Sequence, residues 1–260
     1  MPATVIAIAN QKGGVGKTTT AVNLGSAMSS QGIPTLLVDM DPQANATSSL
    51  GLEKKPGGGV YEPLIEGEDL SRRVISTGRN NLWIIPSELD LAAAELELSS
   101  QPNYLTRLRS SINRLRHEYG LSCIIIDCPP TLGLLSMNSL CAADHLLVTL
   151  QSEYLALEGL GQIIGVVEQL KNAGANPTLS LGGIVMTMYD NRTKLSYEVW
   201  QEVLKHYPAK VFKTAIPRTI RLSEAPSFGK TIFEYAPESL GAKAYLSFAR
   251  EVVRRFIDTQ

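Results

Sequence analysis

The chain has 260 residues, 44% hydrophobic and 19% charged, with a formal net charge of −1. That length suits one sizeable α/β domain rather than two, and the near-neutral balance excludes a molecule that is a polyanion binder all over. No apolar run approaches the roughly 18 residues needed to span a bilayer. Cys123, Cys128 and Cys141 form no C-x-x-C pair and read as reduced, mostly buried cysteines of a cytoplasmic protein, with no metal or cluster site expected.

In chain order, the apolar run at the start predicts a strand over Val5–Ala9. It feeds directly into a glycine-rich loop, so no signal peptide is expected. Lys12-Gly13-Gly14-Val15-Gly16-Lys17-Thr18 has the composition of a phosphate cradle. Glycines let backbone N–H groups turn inward, Lys17 places a point charge toward β- and γ-phosphates, and the Thr18 hydroxyl is set to ligate Mg²⁺. A helix predicted over Thr18–Ser30 adds the partial positive charge of its N-terminus. The loop departs from the standard pattern: Gln11 stands where a glycine is usual, and a second lysine, Lys12, lies inside it.

Further strands are predicted at Thr35–Val38, Leu82–Ile85, Cys123–Ile126, Leu146–Leu150, Leu181–Met188 and Lys210–Phe212. Helical patterns lie near Leu89–Leu98, Tyr104–Glu118, Leu134–Ala143, Leu157–Ala173, Leu195–His206 and Gly241–Asp258. Gly57-Gly58-Gly59 reads as a flexible loop within a domain, since the alternation resumes after it. Alternating strands and helices, with strands as apolar as Ile124-Ile125-Ile126, predict a doubly wound, mostly parallel β-sheet flanked by helices on both faces.

Such sheets bind ligands beyond the carboxyl ends of their strands. Two strands end in acids there: Val38-Asp39-Met40-Asp41-Pro42 and Ile126-Asp127-Cys128-Pro129-Pro130. An Asp after a buried strand, opposite a loop threonine, suits the Mg²⁺ shell, and Thr18, Asp39 and Asp127 form the expected metal set. Asp39 and Asp41 are two apart and share a face in extended chain, and spacing alone does not separate their roles.

These runs, with Gln43-Ala44-Asn45-Ala46-Thr47 after the first acid pair, resemble the ParA/Soj/MinD family of deviant Walker A P-loop ATPases. The later Ile216-Pro217-Arg218-Thr219-Ile220-Arg221-Leu222-Ser223-Glu224-Ala225-Pro226 is similar to the ParA/Soj partitioning branch, and the resemblance extends over nearly all of the chain. It implies ATP and Mg²⁺ as cofactors and a nucleotide site of Lys12, Gly13, Gly14, Val15, Gly16, Lys17, Thr18 and Thr19, with Met188, Pro217 and Arg218 near the adenine. It implies that Lys12 reaches across an ATP-sandwich homodimer, that Lys17 serves the phosphates in the chain's own loop, and that Asp41 orients the attacking water. A single P-loop domain over residues 1–260 is expected, without an N-terminal DNA-binding domain.

Residues 53–97 carry nine acidic and five basic side chains, residues 190–230 eight basic and four acidic. The basic stretch is compatible with a local polyanion-binding face. The resemblance implies nonspecific double-stranded DNA as its partner, with Arg192, Lys194 and Arg221 as contacts, nucleoid association, and a ParB-like protein that stimulates hydrolysis. The competing reading is a MinD-like cell-division ATPase with a C-terminal amphipathic membrane helix, for which the run from Phe248 to Gln260 is the candidate segment; membrane binding is not expected. A nitrogenase-type iron–sulphur reductase is disfavoured by the spacing of Cys128 and Cys141.

Overall fold

A strand that is apolar at every position can be buried only if both faces of its sheet are covered. The structure, a computed structural model describing residues 2–154 and 156–258, follows that rule. Strands β1 (Thr4–Ala9), β2 (Thr35–Asp39), β3 (Ile75–Arg79), β4 (Leu82–Ile85), β5 (Cys123–Asp127), β6 (His145–Gln151) and β7 (Ser180–Thr187) form one sheet in the order β3-β4-β2-β5-β1-β6-β7. Neighbours are parallel except β3 and β4. Helices are α1 (Lys17–Ser30), α2 (Asn45–Ser49), α3 (Tyr61–Ile65), α4 (Leu91–Leu98), α5 (Arg107–Glu118), α6 (Leu134–Ala142), α7 (Ala156–Asn172), α8 (Lys194–His206), α9 (Ile220–Glu224), α10 (Ile232–Tyr235) and α11 (Leu240–Phe256).

Period-two alternation sends the strands inside the β3 edge into two cores. Val5, Ala7 and Ala9 of β1 and Ile124 and Ile126 of β5 pack with α4 to α8; Ile6, Ile8, Cys123 and Ile125 pack with α1, α10 and α11. The stripe of α11 fills the second core with Tyr245, Phe248, Ala249, Val252 and Phe256. Burial of each large member is worth roughly 1.5–3 kcal/mol, which makes α11 a closing core helix. At the amino end of the sheet the Thr4 hydroxyl donates to the Phe256 carbonyl at 3.1 Å, and His145 stacks on the Phe256 ring.

Three expectations are corrected. Lys210–Phe212 makes no strand but a single parallel bridge, Val211 to Ile184, because the Lys213 and Thr214 N–H groups turn to Glu251 on α11 instead. β3 was not expected: Ile75-Ser76-Thr77-Gly78-Arg79 is half polar and contains a glycine, and it holds as an antiparallel edge by pairing with β4. The triple-glycine loop is clamped rather than flexible, since the buried Glu88 carboxylate accepts from the Gly57, Gly59 and Tyr61 N–H groups.

Candidate functional site

The sheet order brings β2, β5 and β1 side by side, and their registers place Asp39 and Ile8 each opposite Asp127. The loop after β1 and both acidic strand ends therefore meet at one edge. Gly14 and Gly16 sit at φ +74° and +85°, so conformation rather than space requires glycine there. Gly16 caps α1 with no side-chain bond to the first-turn N–H groups, the arrangement in which a helix start faces an anion. The Thr187 hydroxyl donates to the Val15 carbonyl at 2.8 Å and ties the loop to β7.

A cavity of about 530 Å³ opens over this edge, lined by Gly13, Gly14, Gly16, Lys17, Thr18, Thr19 and Asp41, with Pro130 and Met188. An adjoining cavity of about 400 Å³ is lined by Thr19, Met188, Pro217, Arg218 and Tyr245. Met188 leaves β7 at φ +49°, a strained turn for a residue with a side chain, and belongs to both cavities. Pro217 and Arg218 reach it because Tyr189 bridges Pro217 and accepts from the Arg218 N–H at 3.2 Å. The structure thus brings together the loop and the three residues expected beside the base.

The two loop lysines point apart. Lys17, 6% exposed, donates to the Lys12 carbonyl at 3.1 Å, and burial pushes its ammonium pKa down against the pull of Asp127, Cys128 and Asp41. Lys12 does not line the main cavity; its ammonium pairs with Glu153, just past β6.

The three acids separate as sharply. Asp39 is fully buried and already engaged: Oδ1 accepts from the Asp41 N–H at 3.2 Å, and Oδ2 from the Thr47 N–H at 2.9 Å and hydroxyl at 2.8 Å. Burial pushes its pKa up to about 6 despite these donors. Both Asp39 oxygens thus serve to fix Asp41 and α2. Asp41 lines the cavity, and its Oδ1 accepts from the Gln43 N–H at 2.9 Å. Asp127 is 2% exposed, and neither oxygen has a hydrogen-bond partner among the described residues. Burial pushes its carboxyl pKa well up, Asp39 and Asp41 add to that, and the nearby Thr18 hydroxyl and Lys17 oppose it. A buried carboxylate left in this way is matched by a cation, so Thr18 and Asp127 fit a bound Mg²⁺.

The expected DNA residues are exposed and paired. Arg192 grips Asp190 through Nε and Nη2 at 2.9 and 2.7 Å and pulls its carboxyl down to about 2. Lys194 pairs with Glu198 at 3.0 Å and Arg221 with Glu224 at 3.0 Å. Gln43, Asn45, Ser48 and Ser49 also line the main cavity, as do Pro226 and Ser227. These were not singled out from sequence, although Gln43, Asn45 and Pro226 lie inside the motifs quoted above.

A glycine-rich loop between strand and helix, with acids closing the neighbouring parallel strands, defines a P-loop nucleotide-binding domain. A family model described as an AAA domain matches residues 3–181. The chain is 47% identical to the sporulation initiation inhibitor protein Soj of Bacillus subtilis over 249 residues, covering 95% of this chain and 97% of that protein. It is 46% identical to the chromosome partitioning protein ParA of Myxococcus xanthus over 252 residues, covering 96% and 88%. The crystal structure of cobyrinic acid a,c-diamide synthase from Mycobacterium smegmatis with bound ATP analog and magnesium superposes with a TM-score of 0.84 at 35% identity, covering 99% of this chain and 97% of that one. The chain belongs to the ParA/Soj family of chromosome-partitioning ATPases.

Proposed function

We propose that the chain is a Mg²⁺-dependent ATPase of DNA segregation that pairs with a second copy around ATP. The carrying observation is the divergence of the two lysines. Lys17 faces the cavity with a buried ammonium, while Lys12 faces away from its own cradle toward Glu153. A lysine so directed is poorly placed for its own phosphates and well placed for a neighbour's. ATP then joins two subunits, and hydrolysis releases them.

Within one subunit, the Gly13–Gly16 amides and the α1 N-terminus bind the phosphates and Lys17 neutralises their charge. Thr18 and Asp127 would hold Mg²⁺, which would neutralise phosphate charge. Asp41, held by its bond from Gln43 and by the Asp39 anchor, orients the attacking water. Met188, Pro217 and Arg218 enclose the base.

The ATP-bound dimer binds nonspecific duplex DNA through Arg192, Lys194 and Arg221, associates with the nucleoid, and leaves it on hydrolysis stimulated by a ParB-like partner. Support for DNA over membrane comes from α11, whose apolar stripe is already packed in the core. Among the described residues no helix is long and apolar enough to cross a membrane. The deciding experiment is co-sedimentation with plasmid DNA and with liposomes, in ATP, ADP and no nucleotide, at two salt concentrations. DNA binding with ATP alone, weakened by salt, is expected; binding that is equal in all three states rejects the reading.

A further inference from the structure

One guanidinium at the sheet edge joins two segments of the wall of the main cavity. Arg79 ends β3 with its side chain 16% exposed. Its Nη1 donates to the Leu50 carbonyl at the end of α2, and its Nη2 to the Gly229 carbonyl, both at 3.1 Å. Nε and Nη2 also grip Glu234, the closest contact at 2.8 Å. Gly51 and Gly229 meet backbone to backbone under this fork, at φ +78° and +62°, and a Cβ on Gly229 would lie 2.6 Å from the Gly51 Cα.

Each segment leads to a different function. On one side, α2 presents Ser48 and Ser49 to the cavity, and its Thr47 bonds Asp39, which in turn holds Asp41. On the other, Pro226 and Ser227 line the same cavity just before Gly229. Beside Glu234, the Tyr235 hydroxyl donates to Glu224 at 2.9 Å, and Glu224 accepts from Arg221 at 3.0 Å. The Ile232 N–H donates to Asn23 of α1 at 2.8 Å, so this side is also tied to the helix behind the phosphate loop. A continuous set of contacts runs from Asp41 through Arg79 to Arg221.

We propose that Arg79 is a positioning residue that holds α2 and the 225–229 turn as one wall, placing Asp41 for hydrolysis and passing nucleotide occupancy to Arg221. The inference rests on the ATPase and DNA-binding reading above. Nη1 also donates to the Thr77 carbonyl at 3.1 Å, and arginine is required because only a planar fork can serve three carbonyls and a carboxylate at once; a lysine keeps the charge and loses the geometry.

The test uses the full chain as wild type, Arg79→Lys, Arg79→Gln and Tyr235→Phe. It reads binding of a fluorescent ATP analogue, phosphate release, and affinity for a duplex oligonucleotide in ATP and in ADP. In Arg79→Lys, ATP affinity and KM should hold within about twofold, while kcat and the ATP-to-ADP ratio of DNA affinities each fall about tenfold, within the usual span of coupling between sites. Arg79→Gln should do the same. Tyr235→Phe should keep its turnover and lose about threefold of the ratio, since only the far end of the chain of contacts is cut. A lowered melting temperature with kcat and ratio intact means a merely structural arginine and overturns the inference. Should the Arg79 variants not fold, an unchanged ratio in Tyr235→Phe overturns it. Wild-type DNA affinity that is equal in ATP and ADP rejects the DNA reading instead, and undiminished kcat in Arg79→Lys then still overturns the hydrolytic half.

Discussion

At the carboxyl end of the sheet, Lys17 and Asp127 are 6% and 2% exposed, and Asp127 has no hydrogen-bond partner among the described residues. On the basic surface, the Arg192, Lys194 and Arg221 side chains are 84%, 88% and 60% exposed, and each is paired with an acid on its own loop or helix. The first region dictates its ligand, because buried charge has few ways to be satisfied. The second dictates little residue by residue, because exposed ion pairs are worth about 0–1 kcal/mol and can be exchanged for phosphate at small cost. Single residues should therefore matter greatly in the first region, and only groups of them in the second.

The largest effect should come from Lys17→Ala, which removes the buried cation and should cost at least about a hundredfold in ATP affinity. Titration with a fluorescent ATP analogue checks it, and a loss under tenfold would break the contrast. Asp41→Ala should lower phosphate release about a hundredfold while ATP-dependent dimers persist in sedimentation; normal release would remove Asp41 from the site. For Lys12→Ala, ATP binding should stay within about threefold of wild type, as an exposed pair is worth little, yet dimers should vanish. Unchanged dimers reject its role toward the partner.

On the surface, changing Arg192, Lys194 and Arg221 together to alanine should lower the salt slope of DNA binding by about 6 in the dimer, two contacts per position, whereas any one alone should lower it by about 2. A single change that abolishes binding would make this surface as specific as the cavity. The smallest effect concerns acid stability. Burial raises the Glu234 carboxyl, but Arg79 and Thr231 bring it to a net value below its ordinary 4.5. A depressed carboxyl stabilises the fold fully above its ordinary value and loses that contribution as pH falls through the folded one. Glu234→Gln should flatten the acid limb of a stability-versus-pH curve and leave the alkaline limb alone; an unaltered acid limb would show that the clamp carries no linkage.

Sequence legibility divides along the same line. Six strands could be read because their residues are apolar on both faces, a pattern that depends on nothing distant. β3 could not, because its stability comes from pairing with β4 rather than from its own half-polar residues. The phosphate loop was legible from spacing, since φ +74° and +85° leave Gly14 and Gly16 little alternative. Asp39 and Asp41 were not separable, because the difference lies in Thr47, eight residues after Asp39, whose N–H and hydroxyl occupy one Asp39 oxygen. The roles of Lys12, Met188 and Arg218 came from family resemblance; the fold supplies their directions. On the surface, sequence could show excess charge but not that Arg192, Lys194 and Arg221 each have an acid at hand.

The bond from the Thr4 hydroxyl to the Phe256 carbonyl has a practical consequence. It seats the first strand's start beside the last helix's end, on the side of the sheet away from the phosphate loop. A dye, an affinity handle or a surface tether attached near either position would leave the ATP edge unobstructed. Single-molecule experiments could then immobilise the protein from behind while nucleotide approaches from the front.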